Sequence, residues 1–195
     1  MTNQRLNKLI KVSVLAAMAF ILMFIEPSLV IFPSFLKLDP SDIPALIGAF
    51  ALGPIAGIAI ELIKNILHGL INTSSAFIGE MANFLVGSVY VFTAGIIYKR
   101  RKNIKGAIIG LAIGVIVMSL AAGILNYFVF LPLYAKLYNT DMNGLLKFIS
   151  GGNAKLQDIK ILIFTAIIPF NLIKGVVVSL VTMLLYKKVS PILHK

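Results

Sequence analysis

Glu80 and Asn83 stand three residues apart in the apolar run from Ala76 to Tyr98, and Asn171 and Lys174 three apart in the run from Ile161 to Tyr186. Both runs are long enough to cross a bilayer as a helix, which takes about 20 residues. The i,i+3 spacing puts each pair on one helical face. A charge at the centre of such a helix costs roughly 2.5–3.5 kcal/mol on insertion scales. Groups kept at that cost, with amides beside them, are suited to holding something polar inside a membrane. Asn126, in a third apolar run, adds another amide. Asparagine offers both donor and acceptor, whereas lysine offers only donors. An apolar pocket with a few such groups is the usual small-molecule site.

A second polar stripe, Glu61, Lys64, Asn65 and His68, has the spacing i, i+3, i+4, i+7 of a single helical face. It reads first as a structural cluster in which Glu61 neutralises Lys64. Lys174 has two compatible readings: ligand contact, or a buried partner for Glu80. The aromatics Tyr127, Phe128, Phe130 and Tyr134 fit an interfacial belt, with one or two of them touching ligand.

Composition excludes several kinds of chemistry. The chain of 195 residues has no cysteine and two histidines, His68 and His194. Disulfide, thiolate and cysteine–metal chemistry are therefore absent, and the histidines alone make no convincing metal centre. No HExxH, GxSxG or GxxxxGK[ST] pattern occurs, so neither a hydrolase site nor ATP-derived energy is expected from this chain. It is not expected to be an enzyme or to need a cofactor. The formal charge of +11 does not point to nucleic acid, because the basic residues flank the apolar runs as membrane topology requires.

The elements that must position these groups are membrane helices. Hydrophobic residues make up 59% of the chain and charged residues 13%, against about 25% charged in soluble domains. Expected spans run from about Leu9 to Ile25, Ile43 to Ile71 with a break at Gly53-Pro54, Ala76 to Tyr98, Gly106 to about Leu133, and Ile159 to Tyr186. The first is expected to be a retained span rather than a cleaved signal, since Glu26-Pro27-Ser28-Leu29 offers no small-x-small site. Three segments hold 11 of the 18 basic residues and none of the seven acids: Arg5 to Lys11, Lys99 to Lys105, and Lys187 to Lys195. The positive-inside rule puts all three in the cytoplasm. That parity fits six helices if the 43–71 stretch turns back at Gly53-Pro54. At 1.5 Å per residue the stretch measures roughly 43 Å, less than two crossings of about 30 Å. At least one of its two helices must then be short, tilted or shielded by protein.

The expected fold is thus an all-α integral membrane protein, a six-helix bundle forming one domain over residues 1–195, with both termini cytoplasmic. Outside lie residues 27–42, a short turn near 72–75, and a long loop over 134–158. Counted inward from the basic ends, Lys174, Asn171, Asn83, Glu80 and Asn126 lie about 20–31 Å deep. They would meet in a pocket open to the outside, capped by the 27–42 loop. Pro169 is expected to free a backbone carbonyl and bend the last helix near Asn171. On the first helix, Ser13, Ala16 and Ala17 form a small-residue patch suited to close packing within the bundle or to a partner subunit.

Five segments, in order, resemble one known family. They are KLDPSDIPALIGAFALGPIAG (Lys37 to Gly57), ELIKNILHGL (Glu61 to Leu70), GEMANFLVG (Gly79 to Gly87), NYFVFLPLYAKLY (Asn126 to Tyr138) and IPFNLIKG (Ile168 to Gly175). The chain resembles the riboflavin-binding S components of bacterial energy-coupling factor (ECF) transporters. The resemblance implies a multi-pass protein of the bacterial plasma membrane that captures riboflavin from outside as a transported substrate. It also implies a lid between the first two helices and association with a transmembrane coupling subunit and two ATP-hydrolysing subunits. The matching ligand contacts are Asn126, Asn171 and Lys174, with lid contacts near Leu38 and Asp39. The family's docking pattern of two alanines four apart corresponds here to Ser13 and Ala17, or to Ala16 and Phe20. The alternatives are an S component for another vitamin, or a stand-alone carrier coupled through Glu80 and Lys174, although no internal repeat of the kind common in such carriers is visible.

Overall fold

A computed structural model describes residues 3–73, 75–151, 153 and 156–193, with side chains through 186. His194 and Lys195 lie outside the described residues. The described chain is helical apart from loops and one isolated antiparallel bridge, Ser28 to Lys37.

The helices are α1 (Asn3–Met23), α2 (Asp42–Leu52), α3 (Pro54–Asn72), α4 (Ile78–Arg100), α5 (Ile104–Leu125), α6 (Leu131–Leu137), α7 (Met142–Ile149), α8 (Ile159–Leu162) and α9 (Ile168–Leu193). A π turn, Asn126–Phe130, joins α5 to α6, and another, Ile163–Ile167, joins α8 to α9. Each π turn ends two residues before a proline, Pro132 or Pro169. Proline has no N–H and its ring crowds the carbonyl four residues back. A local i→i+5 turn absorbs that mismatch, so the bend expected at Pro169 takes this form.

Five continuous helical runs are long and apolar enough to cross a membrane: Asn3–Met23, Pro54–Asn72, Ile78–Arg100, Ile104–Leu137 and Ile159–Tyr186. α2 is too short to do so, at roughly 16 Å. Residues 42–50 of α2 are all buried, because it packs against α1, α3, α4 and α9. The Gly53-Pro54 break therefore gives one short, protein-shielded helix and one long one. Gly53 adopts φ 102°, open to glycine and strained for other residues.

Close packing needs small residues where helices meet. A methyl group on Gly110 of α5 would come within 2.7 Å of the Ala94 carbonyl oxygen on α4. Tyr90 of α4 crosses to α9, donating its hydroxyl to the Gly175 carbonyl at 3.1 Å. The outward faces carry Ile109, Ile113, Ile116, Leu120 and Ile124 on α5 and Val176, Leu180 and Leu184 on α9, as surfaces bathed in lipid require.

Two loop expectations change. The helix expected to stop near Leu133 continues to Leu137, and the expected 134–158 loop contains α7. Asp141 starts α7 by accepting a hydrogen bond from the Gly144 N–H at 2.8 Å, a local N-cap.

Candidate functional site

A cavity at one end of the bundle has a volume of about 440 Å³. It lies at the bundle end opposite the Lys99–Lys105 basic loop, between the 24–41 loop, the ends of α1 and α3, the start of α4, the Asn126–Phe130 turn, α6 and α7. Its polar wall includes Asp39, His68, Glu80, Asn83, Asn126 and Tyr134, and its apolar wall includes Phe35, Leu131, Leu145, Phe148 and Ile149.

The loop reaches the cavity in a folded form. The Leu38 N–H donates to the Pro27 carbonyl at 2.9 Å, and the Lys37 ammonium pairs with Glu26. Asp39 ends the loop in a tight turn, its carboxylate accepting from the Ser41 N–H and hydroxyl, both at 2.7 Å. Asn83 Nδ2, on α4, donates to the same carboxylate at 2.8 Å. Asn83 Oδ1 has no hydrogen-bond partner among the described residues.

Behind Asp39 lies a dry cluster of charges. The fully buried Lys64 ammonium is 2.6 Å from Ser41 Oγ, 2.6 Å from Asp42 Oδ1 and 2.9 Å from Glu61 Oε2. Lys174 Nζ lies 3.0 Å from Asp42 Oδ2 and 4.0 Å from Asp39 Oδ2. Two lysines and three carboxylates thus tie together the loop, α2, α3 and α9. The fourth side is Gly87 of α4, where a methyl group would come within 2.9 Å of the Glu61 carboxylate carbon. A residue larger than glycine would displace the carboxylate from its lysine.

Glu80 belongs to a separate group at the other side of the cavity. It is 6% exposed and lies 3.1 Å from His68 Nδ1, while its second oxygen accepts from Thr73 at 3.2 Å and Ser75 at 3.3 Å. The turn before it holds Ala76 and Phe77 at φ 47° and 68°. Side chains pay a strain cost in this left-handed region. His68 Nε2 is buried with no hydrogen-bond partner among the described residues.

The structure therefore corrects the Glu80–Lys174 pairing: Glu80 faces His68, and Lys174 faces Asp42 and Asp39. The expected Glu61–Lys64 pair is present, but Asp42 completes it. Asp42 was the missed residue; its sequence signal was an acid in the first turn of a helix of otherwise apolar residues.

Of the residues expected at a ligand site, Asp39, Glu80, Asn83 and Asn126 line the cavity. Leu38 packs against an apolar cluster that includes Leu36, Leu131, Leu145, Ile167 and Phe170. Asn171 and Lys174, each 8% exposed, lie outside the lining. Asn126 and Asn171 turn one amide N–H back to carbonyls of their own helices, Ala122 and Ile167, both at 2.8 Å. Each keeps its carbonyl oxygen and one N–H for other contacts. Tyr134 lines the cavity, whereas Phe130 is buried and Phe128 exposed. On α1, Ser13 and Ala17 are exposed. Ala16, 1% exposed, faces inward and packs in the core, so it is not available to an outside partner.

A family model described as "ECF transporter, substrate-specific component" matches residues 7–186. The chain is 41% identical over 195 residues to "Riboflavin transporter RibU" of Staphylococcus aureus, covering 99% of this chain and 96% of that protein. It is 34% identical over 191 residues to "Riboflavin transporter FmnP" of Bacillus subtilis, covering 96% and 94%. A solved structure described as the S component of a bacterial ECF transporter superposes with a TM-score of 0.76 at 40% identity, covering 98% of this chain and 99% of that one.

Proposed function

The chain belongs to the substrate-specific components of ECF transporters, and on that premise we propose that it captures riboflavin at the outer face of the bacterial plasma membrane. One observation carries the reading: a cavity of about 440 Å³ with a polar wall of amides and carboxylates and an aromatic, aliphatic wall, in a chain 41% identical to a riboflavin transporter along nearly its whole length. The volume falls in the range of roughly 300–1,000 Å³ typical of small-molecule sites. A flavin ring has one dry edge and one edge of carbonyls and an N–H, which matches these two walls.

In this reading, six helices cross or enter the bilayer with both termini cytoplasmic, all within a single domain. The cavity then opens outward, and the 24–41 loop acts as its lid. Asn83, Asn126, Asp39 and Glu80 contact the ligand. Lys174 fixes the Asp39 end of the lid from behind, with Asn171 one turn away on the same face and Leu38 in the lid itself. Transport energy comes from a transmembrane coupling subunit and two ATP-hydrolysing subunits, which approach the exposed Ser13–Ala17 face of α1.

The test is direct because the chain has no tryptophan. Protein purified from riboflavin-fed cells is expected to be yellow, to release riboflavin on denaturation, and to melt higher when flavin is added. Colourless protein whose melting ignores riboflavin would end the reading.

A further inference from the structure

We infer that Glu80 is a specificity-determining residue that makes this cavity select an uncharged flavin over its 5′-phosphate; the inference rests on the riboflavin reading. Glu26, Asp39 and Glu80 line the cavity, and Lys37 is the one lysine among the described lining residues. Lys37 is already paired with Glu26. The nearest buried lysines are committed as well, Lys174 to Asp42 and Asp39, and Lys64 to Asp42 and Glu61. Among the described lining residues no spare cation is presented to an anion entering the cavity.

Glu80 is the carboxylate with the least compensation. Asp39 has Lys174 4.0 Å away and donors from Ser41 and Asn83. Among the described residues Glu80 is paired with His68, Thr73 and Ser75. Its partners are hydroxyls and an imidazole, a set that extends naturally to the hydroxyls of a polyol chain, because an ionised carboxylate only accepts. The same set opposes a phosphate, which carries about −1.5 to −2 charge near neutral pH. His68 Nε2 has no hydrogen-bond partner among the described residues, but a single imidazole nitrogen cannot balance a dianion. A sphere of 440 Å³ is about 9 Å across, so a phosphate inside lies within about 10 Å of Glu80. At an effective dielectric of about 20, repulsion at that distance is worth tenfold or more in affinity.

The experiment compares riboflavin, riboflavin 5′-phosphate and an uncharged 5′-ester of riboflavin by fluorescence titration of the purified protein. Wild type is expected to bind riboflavin and the neutral ester similarly, and the phosphate at least about tenfold more weakly. Glu80→Gln should narrow the riboflavin-to-phosphate ratio about tenfold, whereas Glu80→Asp, which keeps the charge, should preserve it. Equal binding of riboflavin and its phosphate by wild type would overturn the inference while leaving the flavin reading intact. Rejection of the neutral ester as strongly as the phosphate would make size the filter and also overturn it; this comparison needs only wild type, should Glu80→Gln fail to fold. An unchanged ratio in folded Glu80→Gln would move the selectivity elsewhere. Binding of none of the three by wild type would remove the flavin reading itself.

Discussion

Replacing Lys64 with methionine removes the hub of the buried charge cluster. Methionine fills similar volume and keeps the apolar stem but carries no donor. Lys64 Nζ is within 2.6 Å of Ser41 Oγ and Asp42 Oδ1 and 2.9 Å of Glu61. Its loss leaves Asp42 and Glu61, both essentially without solvent, with Lys174 as the one remaining cation of the cluster. Breaking a buried pair by removing one partner costs about 3–5 kcal/mol, since the other charge stays buried. The assay is ligand-free unfolding in detergent, run as a double-mutant cycle with Glu61→Gln. Lys64→Met alone should lose about 3–5 kcal/mol. The double variant removes one of the stranded carboxylates and leaves Lys174 to Asp42 and Asp39, so it should recover at least about 1 kcal/mol of that loss through non-additivity. Riboflavin affinity should fall in the single variant too, because Ser41 and Asp39 lose their anchor. A Lys64→Met protein within about 1 kcal/mol of wild type, or strictly additive changes, would refute the account of this cluster.

Lys174→Met and Asn171→Ala should each weaken riboflavin binding while the protein still inserts and purifies, with Lys174→Met the larger effect because it releases both Asp42 and Asp39; titration that finds both unchanged would count against the site. Gly87→Ala places a methyl against the Glu61 carboxylate and should cost about 1–3 kcal/mol in unfolding experiments, in contrast to neutral substitutions on the lipid face. Ala17→Phe should leave riboflavin affinity unchanged but reduce uptake in cells that hold the whole transporter; normal uptake would exclude that face of α1 as the docking surface.

Helix positions were legible because the bilayer imposes them: long apolar runs, basic ends and the Gly53-Pro54 break are all one-dimensional signals. The 142–149 helix was not, because its Asn143-Gly144 step resembles a turn, and only the Asp141 cap marks a helix start. Which charges meet was also out of reach. Glu80 and Lys174 looked like natural partners by depth, yet helix order around the bundle sets pairing. The short α2 inserts Asp42 between α3 and α9, and so claims both buried lysines. Asp42 was hidden because an acid beside a proline-containing turn reads equally well as an exposed loop end. The small residues of α1 showed a patch but not its direction, and Ala16 proved to face the core.

Flavin is expected in the cavity at the end of the bundle away from the Lys99–Lys105 loop. A chain without tryptophan lets one be placed at will. Phe148→Trp puts it on the cavity wall, and Leu52→Trp puts it beside Gly53 at the opposite end. Energy transfer to bound riboflavin, read as quenching of each tryptophan at stoichiometric ligand, should be strong at position 148 and much weaker at 52. Equal quenching at both positions, or stronger quenching at 52, would contradict it.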